Sequence, residues 1–363
     1  MNTMKLYNLV MVLLSLGLVY NCSSEDNMPQ TEDPSPDEST YFPPLSSETW
    51  DSKSLSEVGW NITQLQPLLD FLEEKNTKGF IILHNGKIVV ESYMNGHSET
   101  SPWYWASAGK TLTTTVTGIA EDEGLLDIND KVSDYLGTGW TSIPLEKENL
   151  ITCKNLLSMD SGLDDTLGDS ISAENLQYIA DAGNRWAYHN VYVKLQDVIS
   201  SASNQTWNSY FDTNLKNKIG MTGAWIPFGD LNVYWSTVRS MARFGLLTSA
   251  NGKWEDTHIV SENFLNDATN TSQAINQAYG YLWWLNGKSS YHLPQSQFEI
   301  QGALIPNAPS DMYCALGRDD QKIYIVPSKK LVVIRMGEAA ENVDFALSSF
   351  DNNLWEKITL VID

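Results

Sequence analysis

Two stretches, one near each end of the 363-residue chain, constrain the fold more than anything between them. "GFIILHNGKIVVESYM" sets two β-rich runs around Asn85-Gly86, a dipeptide that favours a type I′ turn because both residues tolerate positive φ. "QKIYIVPSKKLVVIRMG" gives two more runs around Pro327 and Ser328. "NVDFALSSFDNNLWEKITL" then closes the chain as a helix, and "WNITQLQPLLDFLEEKN", with Ile62, Leu65, Leu68, Leu69 and Leu72 at helical spacing, precedes the first hairpin as another. The pattern predicts one sheet built from both termini. Between them, "TLTTTVTGIAEDEGLL", "YVKLQDVISSA" and "WNSYFDTNLKNKIG" read as helices separated by Gly and Asp loops. The expected fold class is therefore α+β: an antiparallel sheet from both termini with flanking helices, plus an inserted all-helical region over about 111–250.

The first residues stand apart from this fold. Residues 1–21 combine an early lysine with an apolar run from Leu9 to Tyr20 and read as a signal peptide, too short for a membrane span. Cys22 follows directly, as in the lipobox of bacterial lipoproteins, so lipidation there is expected, with simple secretion as the alternative. Residues 22–45 are acidic and proline-rich with no Lys or Arg, a composition for a solvated tether. The folded part is expected over 46–363, on the bacterial cell envelope, at a membrane face left open.

The formal charge of -22 has no basic patch beside it, which argues against nucleic-acid partners. Cys153 and Cys314 suit one bridge or two buried thiols, and the five histidines lack paired spacing for zinc, so neither metal nor cofactor is expected.

"WYWASAGKTLTTT" places Ser107 and Lys110 three apart, on one face of a helix start. A serine hydroxyl needs a base to attack a carbonyl, and a lysine serves only when burial or nearby positive charge lowers its pKa. With eighteen lysines, roughly two Ser-x-x-Lys matches arise by chance, and a serine at a helix start is most often an N-cap. The second element changes the balance: "RWAYHNVYVKL" supplies Tyr188, a phenol able to shuttle protons beside a lysine, and the amide of Asn190 two residues on.

Together with "NLLSMDSGLDD", "VRSMARFGLL" and "GYLWWLNG", these segments resemble the serine β-lactamase and penicillin-binding superfamily in its class C-like branch, over about residues 79–338. That branch includes esterases, D-aminopeptidases, carboxypeptidases and 6-aminohexanoate-dimer hydrolases. The resemblance implies that Ser107 is acylated, that Lys110 takes its proton, that Tyr188 is the general acid and base, and that Asn190 positions Lys110 and the substrate. Either Lys110 or Tyr188 suits the base, since the two share protons. The family's third element, a Lys-Thr-Gly or His-x-Gly, falls at Ala315-Leu316-Gly317, with the Arg318 N–H joining that of Ser107 as the oxyanion hole. Ala315 replaces the cation that helps hold a substrate carboxylate, with Arg318 or Lys322 as candidate replacements.

Trp105 and Trp186, with Gly317 and Arg318, are the expected substrate-binding residues. The implied activity is hydrolysis of an ester or amide of a small molecule rather than of a β-lactam. The rival reading is a surface protein that binds a glycan or peptide on the same fold and turns nothing over.

Overall fold

The computed structural model describes residues 39–341 and 347–363, so the signal peptide, Cys22 and most of the tether lie outside the described residues. The two terminal hairpins do join. β1 (Thr77–His84) and β2 (Lys87–Tyr93) meet at Asn85 and Gly86, whose φ values of 48° and 83° suit the I′ turn. β3 (Trp284–Leu285), β4 (Tyr313–Gly317), β5 (Gln321–Val326) and β6 (Leu331–Gly337) complete an antiparallel sheet in the order β2-β1-β6-β5-β4-β3. β1 pairs with β6 in a register that sets Ile81 opposite Ile334. Chain ends far apart in sequence thus lie side by side at the sheet's centre.

The central strands are buried on both faces because helices cover both. α1 (Leu65–Glu74) and α5 (Ser349–Ile362) take one face, with Phe71 stacked on Phe350 and Trp355 edge-on to Tyr324. Pro67 fits α1 because it falls in the first turn, where its missing N–H has no partner to lose. α4 (Val238–Ser249) takes the other face, so close that a Cβ at Gly245 would meet Val332 at 2.5 Å. α2 (Lys110–Asp122), buried on every side from Lys110 to Ala120, packs against α3 (Lys194–Ser203) within the inserted region.

Two expectations need correction. The inserted region is not all-helical: Trp103–Tyr104, Ala224–Phe228 and Leu231–Ser236 form a three-stranded sheet. Its hairpin turns at Gly229, φ 58°, and the alternation in "AWIPFGDLNVYWS" was the overlooked signal. Nor does a solvated tether run to residue 45. The Tyr41 N–H donates to the Asn85 carbonyl at 3.1 Å, and Arg243 donates to the carbonyls of Pro43 and Pro44. Backbone carbonyls in a proline-rich stretch need no apolar side chains to be captured by a buried guanidinium.

Candidate active site

Ser107 sits where a strand is forced into a helix. Trp103–Tyr104 pairs with the 231–236 strand, and the Trp105 N–H continues that pairing to the Tyr234 carbonyl at 2.9 Å. Ala106 then takes φ 47°, a left-handed conformation that costs a residue with a Cβ roughly 1–3 kcal/mol. The reversal turns the chain into the 3-10 turn Ala106–Gly109, which leads into α2. Ser107 lies partly exposed in this turn and caps neither helix; the cap positions are Trp105 and Gly109. Its Oγ is instead 2.7 Å from Lys110 Nζ.

Lys110 is only 3% exposed. Its Nζ lies 4.9 Å from the ring centroid of Tyr188 and 4.7 Å from that of Tyr192. Burial pulls its pKa down to about 7, against an opposing pull from the Asp169 carboxylate. Desolvation penalises the ammonium, so near neutral pH a large share of Lys110 is the free amine. Burial pushes the Tyr188 phenol up to about 12, while its hydrogen bond with Ser107 works the other way. Tyr188 therefore keeps its proton where Lys110 has begun to lose its own.

Tyr188 is fixed by its neighbours: Trp186, Tyr279 and Trp284 have ring centroids 6.2, 6.1 and 5.8 Å from its own. Trp186 is fully buried, with its indole N–H donated to the Leu293 carbonyl at 3.0 Å. Trp105 is fully buried as well, its indole N–H donated to Ser236 Oγ at 2.7 Å. Both expected substrate-binding tryptophans are thus core residues, which hold Ser107 and Tyr188 from behind. A large ring gains more from burial than from lining an opening, which is the physical reason for the error. Tyr192 went unnoticed, although it follows Tyr188 by four positions.

Asn190 differs from its expected placement. Its Nδ2 donates to Asp169 Oδ1 at 2.9 Å, so the amide is engaged by a carboxylate rather than by Lys110. No sequence pattern pointed to Asp169.

Ala315-Leu316-Gly317 does lie on a strand, β4, paired with β5 so that Ala315 faces Ile323 and Gly317 faces Gln321. A Cβ on Gly317 would come within 2.4 Å of the Trp105 carbonyl oxygen and 3.0 Å of the Ala108 nitrogen. The glycine is required there by the turn that carries Ser107, packed directly on the strand. Arg318 follows, exposed at the strand's end. Lys322 supplies no substitute for the missing cation. Strand alternation turns it to the opposite face, where it is fully buried against Asp320 at 3.1 Å and Asp351 at 2.9 Å. Cys153 and Cys314 are both free and buried.

The sequence matches the Beta-lactamase family over residues 72–348. An uncharacterized protein of Alkalihalophilus pseudofirmus is 23% identical over 326 residues, spanning 78% of this chain and 89% of its own. A Bacillus anthracis structure assigned as a 6-aminohexanoate-dimer hydrolase superposes with a TM-score of 0.67 at 18% identity, over 88% of this chain and 89% of that one. EstCE1, described as a hydrolase with promiscuous acyltransferase activity, gives a TM-score of 0.61 at 11% identity, over 84% and 99%. At such identities the structural likeness speaks for the fold.

Proposed function

The chain belongs to the Beta-lactamase family, and from that premise we propose that it is a serine hydrolase that forms an acyl-enzyme at Ser107 and cleaves an ester or amide bond of a small molecule. The observation that carries this reading is the 2.7 Å contact between Ser107 Oγ and a buried Lys110 whose pKa is pulled down to about 7. A lysine buried without a function costs stability, and one beside a half-exposed hydroxyl is a poised base.

In the proposed reaction the free amine of Lys110 takes the Ser107 proton as Oγ attacks the carbonyl carbon. The tetrahedral oxyanion is received by the N–H groups of Ser107 and Arg318. Tyr188, still protonated, gives its proton to the leaving oxygen or nitrogen and regains one from the Lys110 ammonium. Deacylation runs the same relay with water: its proton passes through Tyr188 to Lys110 as its oxygen attacks the acyl carbon, the Oγ–acyl bond then breaks, and the Lys110 ammonium returns a proton to Ser107.

Two features favour simple esters and amides over β-lactams. Ala315 is fully buried and carries no charge for a substrate carboxylate to meet, and Asp169 adds an anion near Lys110. Among the similar structures, one is named a 6-aminohexanoate-dimer hydrolase and one a hydrolase with promiscuous acyltransferase activity, beside others named β-lactamase or penicillin-binding protein. In this reading Cys22 is the lipid attachment site, holding the hydrolase at the bacterial cell envelope.

The test is labelling of the mature protein with a fluorophosphonate probe, beside Ser107→Ala. Ser107-dependent labelling is expected, and its absence would sink the reading. A panel of p-nitrophenyl esters, nitrocefin and a D-Ala-D-Ala peptide then ranks the substrates, with nitrocefin expected to be slowest.

A further inference from the structure

Just beyond Gly317 the backbone takes an expensive path. Asp319 and Asp320 have φ values of 59° and 60°, a left-handed pair with no glycine to ease it. Such a pair persists only where its surroundings hold it. Here Gln321 is fully buried, and its Nε2 donates to the carbonyls of Asp319 at 2.9 Å, Arg318 at 3.3 Å and Gly337 at 2.6 Å. Its Oε1 accepts the Gly337 N–H at 3.1 Å. Arg335 Nη1 donates to the carbonyls of Asp319 at 2.8 Å and Asp320 at 3.0 Å. Tyr104, three residues before Ser107, donates its hydroxyl to the Asp319 carboxylate.

The β4–β5 ladder does not need this bracing, because it is already paired from Tyr313–Ile325 to Gly317–Gln321. What the bracing adds is control of Arg318. On its N-terminal side Arg318 adjoins Gly317, pressed against the nucleophile's turn; on its C-terminal side its own carbonyl is held by Gln321. The side chain of Gln321 starts at the same junction, its Cβ 3.0 Å from where a Gly317 Cβ would stand.

We infer that Gln321 is a positioning residue for acylation: its buried carboxamide fixes the carbonyls of Arg318 and Asp319, and with them the direction in which the Arg318 N–H meets the oxyanion. The inference rests on the acyl-enzyme reading above, and it adds a residue that never touches the substrate. A donor misaimed by a few tenths of an ångström loses much of its worth, since oxyanion stabilisation depends on preorganised geometry.

The experiment measures the maximal rate constant and half-saturating concentration for fluorophosphonate labelling. In that step Oγ–P forms, P–F breaks, fluoride leaves and the Ser107 proton passes to Lys110. The proteins compared are wild type, Gln321→Met and Tyr324→Phe. The last removes a buried bond from Tyr324 to Asp351, 2.6 Å, on the opposite face of the same strand. For Gln321→Met the rate constant is expected to fall roughly 10- to 100-fold with half-saturation within about twofold. Tyr324→Phe is expected to lower the melting temperature and leave the rate constant alone. Should Gln321→Met not fold, Gln321→Glu keeps the shape and the acceptor for Gly337 while losing the amide donor, and the same fall is expected. An unchanged rate constant in the folded Gln321 variant, or equal falls in the Gln321 and Tyr324 variants, overturns the positioning role. Failure of the wild type to label at Ser107 overturns the acyl-enzyme reading first, so the two failures are distinct.

Discussion

At the scale of single residues, the proposed chemistry turns on one buried amine, that of Lys110. If the free amine of Lys110 is the base, the acylation rate should rise with pH through about 7 and level off above it. Lys110→Met should lower that rate roughly 100- to 10,000-fold and abolish the limb, read by stopped labelling across pH 5.5–9. Asp169→Asn removes a carboxylate that pulls the Lys110 pKa upward, so the rising limb should move to lower pH. A limb that stays in place or moves up would show that Asp169 does not act on the lysine. Stability has its own sign. The folded lysine has a pKa of about 7 against an ordinary 10.5, so between those values the unfolded chain holds a proton that the folded one has shed. Stability therefore rises with pH across that window. Denaturant titrations at pH 7 and 9.5 should show this rise in wild type and a smaller one in Lys110→Met.

Among the elements, the decisive contact is that of β4 with the turn carrying Ser107. No Cβ fits at Gly317 because the Trp105 carbonyl oxygen would lie 2.4 Å from it. Gly317→Ala must push the strand and the turn apart, a rearrangement costing about 1–3 kcal/mol and separating the two proposed oxyanion donors. The expected result is a folded protein with a lowered melting temperature and a labelling rate reduced at least tenfold. Wild-type labelling in that variant would mean that the strand does not take part in the site. The strain at Ala106, φ 47°, belongs to the same junction. Replacing Ala106 by glycine relieves the strain without adding atoms, so thermal melting should be unchanged or higher by up to about 1 kcal/mol in stability.

For the whole molecule, one buried charge cluster ties the sheet to the closing helix. Lys322 meets Asp320 and Asp351, and Tyr324 donates to Asp351 at 2.6 Å, all within the layer between β5 and α5. Asp351→Leu takes a carboxylate away from a buried ammonium and should cost about 3–5 kcal/mol in chemical denaturation. The terminal hairpins and the closing helix were legible in the sequence because each is written in local terms, alternation and an Asn-Gly turn, whereas the spacing of Ser107 and Lys110 was legible but no more frequent than chance. Tyr188 was legible as a phenol two positions before an amide, and its assigned role came only through resemblance, since nothing near residue 188 says what it packs on. The roles of Trp105 and Trp186 were misread because composition cannot tell a ring that lines an opening from one that backs it. Asp169, Tyr192 and Gln321 were invisible for a related reason. Each acts across a contact between segments distant in sequence or on a surface that only chain crossing creates. The sequence by itself determined which segments become strands and helices and which hydroxyl and amine stand three residues apart. Only the tertiary structure decided the environment that lowers the Lys110 pKa and brings β4 against the turn of Ser107, because desolvation and close packing are properties of assembled surfaces.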